Sequence, residues 1–252
     1  MSRRPQRPDR AAVAAIKLSK EEVEFVRGLV IYQDPHIVAL NKPAGLSSQG
    51  GRGQVHTLDE LLWAFAKPGK ARPRLIHRLD RDTSGVILTA RTKPAAGFLG
   101  KAMMARKFAK TYRAIVTPGA PAPAEGAIDV PLRRDEQGRE AYMRVCAPDH
   151  ADAEAARSRY KTISEGSGAA LLELDPETGR MHQLRVHLAH IGRPIAGDAR
   201  YGGALVVGGH AVPRLMLHAM ALTFPHPSGG ERRLEAPVPA DMTGLISALG
   251  LG

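Results

Sequence analysis

Residues 76–85 of the chain read IHRLDRDTSG, and the apolar run 86–88 (VIL) follows directly. The ten residues hold two arginines, two aspartates, a histidine, two hydroxyl side chains and a glycine. Residues 86–88 predict a buried strand, so this polar loop would lie at the edge of the core. A loop of this kind is more readily explained as a functional site than as a solvated surface.

The net charge of the chain indicates which kind of molecule it binds. The 252-residue chain carries a formal net charge of +11, and arginine dominates its cations. A field of this sign attracts polyanions, so nucleic acid is the first partner to consider and an anionic membrane surface the second. Aromatic residues make up only 4% of the chain, which argues against a broad base-stacking surface.

Composition also bears on the compartment. No apolar run approaches the ~20 residues that cross a bilayer, and the charged N-terminus lacks the apolar segment of a secretory signal. The single cysteine, Cys146, excludes an internal disulfide and a cysteine-based metal cluster. We therefore expect a cytoplasmic protein that is not attached to a membrane.

The first twenty residues differ from the rest. Residues 1–20 hold six cations, one acid and two prolines near the start. This composition predicts a mobile basic tail, which would act either as a solubility tail or as an arm that contacts RNA. Ser19 with Glu22 three residues later is typical of a helix start. Residues 21–252 would then form one folded domain.

Periodicity along that domain predicts short strands separated by few helices. Residues 118–125 indicate a Pro/Ala/Gly linker, and Gly192 is expected to cap a helix. The pattern predicts an α+β fold with one mixed, mainly antiparallel sheet flanked by helices and loops. Strands are expected at residues 30–32, 37–40, 86–88, 107–116, 171–174 and 215–224, and helices at 23–29, 57–65, 95–108, 150–157 and 181–191.

Asp80 is the first candidate for chemistry. It adjoins Arg81 and lies two residues from Arg78. A carboxylate between such cations can stay ionised, which suits a nucleophile or a general base. A structural ion pair explains an isolated cluster of this kind at least as well. A protein-kinase catalytic loop is excluded because the residue order is wrong and the metal-binding asparagine is missing.

Other polar segments also have ordinary explanations. His187 and His190 lie one helical turn apart, but three arginines crowd residues 178–193 and would repel a metal ion, so no metal site is expected. The glycine-rich loop 49–53 lacks the Gly-Lys-Ser/Thr that a nucleotide P-loop requires. Tyr112, within a predicted strand, would by default be a packing residue.

Three stretches, taken in order, resemble the RluA-type pseudouridine synthases. They are residues 40–45 (LNKPAG), 77–85 (HRLDRDTSG) and 178–187 (TGRMHQLRVH). Residues 192–202 and 215–219 fit the same family, so the resemblance runs from about residue 30 to 240. Several long motifs in sequence order are far more specific than any one of them. The resemblance implies a catalytic cleft across the middle of the sheet.

The resemblance also implies residue roles. Asp80 matches the catalytic aspartate, Tyr112 the active-site tyrosine, and Arg185 the basic residue that pairs with the aspartate. Arg78 matches an arginine that fills the space left by a flipped base, and Leu184 matches an apolar residue beside the active site. Further substrate-binding residues are expected at the neighbouring motif positions Lys42, His77, Arg180, His182 and Gln183.

The sequence departs from the family pattern in two places. Met181 stands where the family usually has Thr or Ser, which removes a hydroxyl. No S4 RNA-binding domain fits before residue 30, so the chain is expected to be a short member of the family that docks RNA through its catalytic domain and basic tail. A monomer is expected, and both ribosomal RNA and transfer RNA are open as substrates.

The implied reaction breaks the bond between the ribose and the uracil nitrogen, turns the base, and joins carbon 5 to the same sugar carbon. Nothing is oxidised or added, so neither a cofactor nor a metal is expected. The competing hypothesis is a non-catalytic RNA-binding or ribosome-assembly factor on the same scaffold. The presence of Asp80, Tyr112 and Arg185 argues against it. A DNA-binding module is not indicated, since no helix-turn-helix or zinc-finger spacing occurs.

Overall fold

The structure is a computed structural model that describes residues 16–50, 56–137 and 140–252. Most of the predicted basic tail and part of the glycine-rich loop therefore lie outside the described residues. The helices are α1 Lys20–Gly28, α2 Leu58–Leu61, α3 Lys93–Met104, α4 Gln183–His190 and α5 Ala240–Ala248, and a 3-10 helix, Leu62–Phe65, continues α2.

The strands are β1 Val30–Gln33, β2 Ile37–Lys42, β3 Arg74–Leu75, β4 Ser84–Ala90, β5 Ala109–Val116, β6 Glu125–Asp129, β7 Leu132–Gln137, β8 Glu140–Val145, β9 Arg157–Gly166, β10 Ala169–Pro176, β11 Val206–Val207, β12 His210–Ala211, β13 Leu217–Pro225 and β14 Glu231–Glu235. The strands of the main sheet follow the order β1-β2-β4-β13-β5-β10-β9-β6, while β3 pairs with β4 and β14 pairs with β13. Among the described strands only β4 and β13 pair in parallel, so the sheet is mixed and mainly antiparallel, as predicted.

Strand β4 explains the apolar run that follows the polar loop. Every residue of β4 is buried; β2 pairs along one edge of the strand, and β13 and β3 pair with the two ends of the other edge. Gly85 has a φ of 121°, and a Cβ added there would lie 2.2 Å from the carbonyl oxygen of Ala219. The close approach of β4 and β13 therefore requires glycine at this position.

Two large hydrophobic clusters lie in the two halves of the sheet, and a small third cluster surrounds Leu132 and Met143. One large cluster contains Leu40, Ile87 and Leu88, and the other contains Ile115 and Leu172. Tyr112 packs against both clusters. The central strand β5 therefore carries this side chain to the seam between the two halves of the core.

Most predicted elements are confirmed. Ser19 and Glu22 form a capping box at the start of α1, and Gly192, with a φ of 69°, follows α4 as the expected cap. Residues 118–125 connect β5 and β6, two strands of the same sheet.

The helix predicted at residues 150–157 is wrong. This segment consists of turns and a β-bridge in which Leu132 and Glu154 exchange backbone hydrogen bonds of 2.9 and 2.8 Å. The alanines and acids favour a helix locally, but pairing with β7 satisfies the backbone in an extended form instead. Within the described residues, no helix combines the length and apolar character needed to cross a bilayer.

Candidate active site

A row of paired residues across the sheet brings the predicted site together. Gly85 pairs with Ala219, Ala219 with Tyr112, and Tyr112 with Leu174. Adjacent strands lie about 4.8 Å apart, so the loop before Gly85 and the turn after Leu174 both end near Tyr112. The loop carries Asp80, and the turn leads into α4.

An open cleft of about 650 Å³ occupies this region. Its walls are the loop that carries Asp80, the turn before α4, and the C-terminal end of α3 with Met103 and Met104. A cavity of about 100 Å³ shares Asp80 with the cleft and reaches Tyr112 and Arg185. The cleft lies within the 300–1,000 Å³ that is usual for small-molecule sites.

Hydrogen bonds hold the backbone of the loop that carries Asp80, while the Asp80 carboxylate faces the cleft. The Ser48 hydroxyl donates to the Leu79 carbonyl at 2.7 Å and accepts from the Leu79 amide at 3.1 Å. The Thr83 amide donates to the Asp80 carbonyl at 3.2 Å. The Asp80 side chain remains 30% exposed.

Lys42, expected to bind substrate, has a different position. Its side chain is fully buried, and its ammonium donates to the carbonyls of Pro43, Leu46 and Arg81 at 2.9, 2.8 and 3.0 Å. Burial lowers the pKa of Lys42 to about 7. The Lys42 ammonium donates to backbone carbonyls only, one of which belongs to Arg81, so Lys42 stabilises the loop that carries Asp80.

Arg185 lies opposite Asp80 but is anchored elsewhere. Its Nη1 atom is 3.8 Å from Oδ2 of Asp80. Its Nε and Nη2 atoms donate to the two carboxylate oxygens of Asp198 at 2.7 and 2.8 Å. The Asp198 side chain is only 1% exposed. The two hydrogen bonds from Asp198 therefore hold the Arg185 guanidinium in place, with its positive charge facing Asp80.

Tyr112 and Leu184 line the small cavity together with Asp80. Burial raises the pKa of Tyr112 above its ordinary value, and the nearby charge of Asp80 raises it further. The phenol is therefore protonated at neutral pH and can act as a hydrogen-bond donor. Leu184 is buried and adds an apolar surface beside the reacting position.

His182 starts α4 in a left-handed conformation, with a φ of 53°. This geometry places its Nδ1 atom 2.8 Å from the hydroxyl of Tyr201 and its Nε2 atom 3.9 Å from the carboxylate of Asp80. Burial lowers the pKa of His182, so the ring is neutral near pH 7. The strained backbone is compatible with a functional residue.

Gln183 and Arg180 were both expected to bind substrate, but both make hydrogen bonds within the protein. The buried Gln183 amide accepts from Thr178 and from the Arg180 backbone, and donates to the Arg157 carbonyl and Ser158. These bonds occupy the hydrogen-bonding groups of the amide, so Gln183 connects the turn before α4 to β9. Arg180 lines the cleft, although its guanidinium also binds Glu154 at 2.6 Å.

His77 and Arg78 are adjacent in sequence but differ in environment. The His77 Nε2 atom accepts from the Leu88 amide at 3.1 Å, and burial lowers the pKa of His77 to about 3. Arg78 is exposed at the cleft. Within the described residues its guanidinium makes no hydrogen bond or ion pair, so it is available to a ligand.

Two residues of the site were not assigned from the sequence. Asp198 lay inside a recognised motif, but nothing in the sequence showed that it would hold Arg185. Lys110 lines both the cleft and the small cavity, and burial lowers its pKa. The alternation of β5 places Lys110 and Tyr112 on the same face of the strand, which is the signal that could have found Lys110.

Known proteins are similar to this chain in sequence and in fold. A family model described as RNA pseudouridylate synthase matches residues 36–190. Ribosomal large subunit pseudouridine synthase D of Xanthomonas campestris is 39% identical over 235 residues, which cover 87% of this chain and 69% of that protein. Ribosomal large subunit pseudouridine synthase C of Escherichia coli is 36% identical over 231 residues, covering 89% and 70%.

A solved structure has a similar fold. Human RNA Pseudouridylate Synthase Domain Containing 4 superposes with a TM-score of 0.77 at 26% identity, covering 92% of this chain and 98% of that one. The family, the fold and the enzyme class inferred from the sequence motifs are thereby confirmed. The chain belongs to the RNA pseudouridylate synthase family, whose enzymes isomerise uridine in RNA.

Proposed function

We propose that this enzyme forms pseudouridine in the RNA of the large ribosomal subunit. The observation that carries the chemistry is the partly exposed carboxylate of Asp80 held opposite Arg185 in an open cleft. The choice of RNA rests on the names of the two bacterial relatives, both of which are ribosomal large subunit enzymes. Transfer RNA is the alternative substrate.

Asp80 is the proposed catalytic residue. Its carboxylate either attacks the sugar carbon that bears the uracil or removes a neighbouring sugar proton to leave a glycal. Both routes break the bond between the sugar and nitrogen 1. When carbon 5 then bonds to the same sugar carbon, the first route breaks the ester bond to Asp80, and in the second route Asp80 returns the proton to the neighbouring sugar carbon. The Arg185 guanidinium lies 3.8 Å from the Asp80 carboxylate, where it attracts and orients that carboxylate before it reacts.

Tyr112 and Leu184 are proposed to hold the detached uracil while it turns. Both line the cavity next to Asp80. Carbon 5 must lose its proton once the new bond has formed. Because the Tyr112 phenol is protonated at neutral pH, it accepts that proton only by passing its own proton on, and nitrogen 1 of the uracil is the acceptor that the product requires.

Arg78 is proposed to enter the space that the target base leaves. A uridine within a helix or stack must be flipped out before it reaches Asp80, at a cost of a few kcal/mol. Arg78 is exposed, lies two residues from Asp80 and lines the same cleft. Its planar guanidinium can stack on the neighbouring bases and offset part of that cost.

Four further residues would define the walls of the site. His182, Arg180 and Lys110 face the cleft and are proposed to bind the target nucleotide, with the two cations directed at phosphate. His77 also lines the cleft, but its Nε2 atom is used by the backbone. We propose that His77, like Lys42 and Gln183, positions the loops that carry the substrate contacts.

Residues 21–252 are proposed to act as one catalytic domain, in a cytoplasmic monomer, with residues 1–20 as a basic tail. The whole chain carries a net charge of +11, so affinity for RNA is expected to fall with salt. A non-catalytic role on the same scaffold is not favoured, because the chain is similar to named synthases and because Asp80, Tyr112 and Arg185 line one cavity.

The test is an Asp80→Asn variant, assayed by tritium release from RNA labelled at carbon 5 of uracil. We expect release to fall at least roughly 10³-fold, while RNA binding persists because the amide is nearly the same size. Release at the wild-type rate would disprove the assignment. Pseudouridine maps of ribosomal and transfer RNA from a deletion strain, complemented with wild type or with Asp80→Asn, then identify the substrate.

A further inference from the structure

A second groove, of about 610 Å³, lies beyond the active-site cleft. It is formed by the loop between the 3-10 helix and β3, the turn between β1 and β2, and the start of α3. Its lining includes one acid, Asp34, and six cations, Lys67, Lys70, Arg72, Arg74, Arg91 and Lys93. None of these residues belongs to the site described above.

Four of the six cations are available to a ligand. Asp34 already accepts from its own turn at 2.7 and 2.8 Å and lies 2.8 Å from His226. Arg72 pairs with Asp59, and Arg91 donates to Gln33 and to the Asp34 carbonyl. The exposed cations Lys67, Lys70, Arg74 and Lys93 have no ion-pair partner within the described residues. The rim of the groove is therefore an uncompensated positive field.

The lining of the groove is also partly apolar. It includes Pro35, Phe65, Ala71 and Pro73 besides the cations. A phosphate alone would need only the charged rim. A groove that combines apolar side chains with unpaired cations fits a nucleotide, whose base can pack on Phe65 while its phosphates lie near the lysines.

The groove is joined to the catalytic loop by a short, continuous segment. Arg74 pairs with Ala90 at the far end of β4, and Asp80 follows Arg74 after six residues. A chain extends by at most about 3.3–3.6 Å per residue, so the two lie within roughly 20 Å. Six stacked nucleotides of one strand span about that distance at ~3.4 Å each.

We propose that this groove binds RNA next to the target site, holding a nucleotide of the same molecule whose uridine lies at Asp80. The inference rests on the proposed function for the choice of ligand. It extends it by assigning Lys67, Lys70, Arg74, Lys93 and Phe65 to a flanking contact that no catalytic step uses. The groove would add affinity for longer RNA without changing the chemistry.

The experiment uses the full chain in the Asp80→Asn background, so binding is measured without turnover. The variant is Lys70→Ala with Lys93→Ala, and the control is Lys101→Ala with Lys161→Ala, which removes the same charge from exposed positions outside the groove. The probes are fluorescent oligouridylates of about 4 to about 20 nucleotides. Affinity is measured by anisotropy over a series of salt concentrations.

For the longest probe we expect the groove variant to bind roughly tenfold more weakly. The slope of log affinity against log salt should become less steep by about 1.4, since each lost phosphate contact to a single strand changes it by about 0.7. The gain in affinity with probe length should disappear in the groove variant and persist in the control. A Phe65→Leu variant should also lose part of that gain, since it removes the flat ring but keeps the apolar volume.

The proposal is overturned if the groove variant matches the control at every length. It is also overturned if the groove variant loses binding to phosphatidylserine vesicles but keeps its affinity for RNA. Failure of the proposed function gives a different result, because wild-type protein would then form no pseudouridine in any RNA while the length series could still be scored.

Discussion

Arg185 and Asp198 form a bidentate pair in which Asp198 is nearly inaccessible and Arg185 is 9% exposed, and this pair sets the position of the charge that faces Asp80. The contact with Asp80 is longer, at 3.8 Å from Nη1. It is therefore an electrostatic contact rather than a hydrogen bond. The guanidinium can act on Asp80 only because Asp198 holds it at the right place.

Replacing Asp198 with Asn should separate this positioning role from simple stability. We expect kcat to fall roughly 10- to 100-fold, because Arg185 loses its fork and moves relative to Asp80, while KM for RNA changes little. The free energy of unfolding should also fall by about 3 kcal/mol, since a buried cation loses its charged partner. Single-turnover kinetics and urea denaturation measure the two effects.

Asp241→Asn is the matched control for that variant. Asp241 makes a similar bidentate pair with Arg214, at 2.6 and 2.7 Å, outside the residues that line the cleft. Its loss should lower stability without lowering kcat at a temperature where the protein is folded. Equal losses of kcat in the two variants would show that Asp198 is only structural.

Turnover should depend on both the shape and the charge of the side chain at position 185. Arg185→Lys keeps a cation near Asp80 but loses the planar fork that Asp198 binds, so we expect roughly a 10- to 100-fold loss of turnover. Arg185→Met removes the charge and should lose more. Circular dichroism checks that both variants fold, and a Met variant with normal turnover would mean that the wrong arginine was chosen.

His77 should make the protein sensitive to acid. Burial lowers its folded-state pKa from 6.5 to about 3. Below pH 6.5 the unfolded chain therefore binds a proton that the folded chain refuses until about pH 3, and stability is lost as the pH falls through that window. The cost should approach roughly 1 kcal/mol per pH unit.

His77→Gln tests this directly. The Gln Oε1 atom can accept from the Leu88 amide as the imidazole Nε2 atom does, but it does not titrate. We expect wild type to lose stability relative to this variant between pH 6.5 and 4, measured by urea denaturation. Parallel stability curves for the two proteins would contradict a lowered pKa of His77 in the folded protein.

Gly85→Ala should prevent normal pairing of β4 with β13. The added methyl group would lie 2.2 Å from a backbone oxygen that cannot move without breaking the sheet, at a φ of 121° that alanine avoids. We expect a loss of at least about 3 kcal/mol, or no folded protein. Gly97→Ala in α3 is the control, since its Cβ meets open space and should stabilise by about 0.5–1 kcal/mol.

Local patterns predicted a large part of the fold. The apolar run 86–88 predicted the buried strand β4, the Ser19 capping signal predicted α1, and alternation predicted β5, because each depends on residues close in sequence. The helix expected at residues 150–157 failed for the opposite reason. Its backbone bonds go to Leu132, some twenty residues earlier, and local propensity carries no information about such a partner.

By itself, the sequence determined the chemistry, since the motifs around Asp80, Tyr112 and Arg185 identify the family and name its reaction. Only the tertiary structure decided what the polar motif residues do. Lys42 and Gln183 are of residue types that often bind ligands, yet their polar atoms bind the protein backbone or buried side chains. The physical reason is that burial and hydrogen-bond partners arise from strand pairing between distant segments, which a linear pattern does not encode.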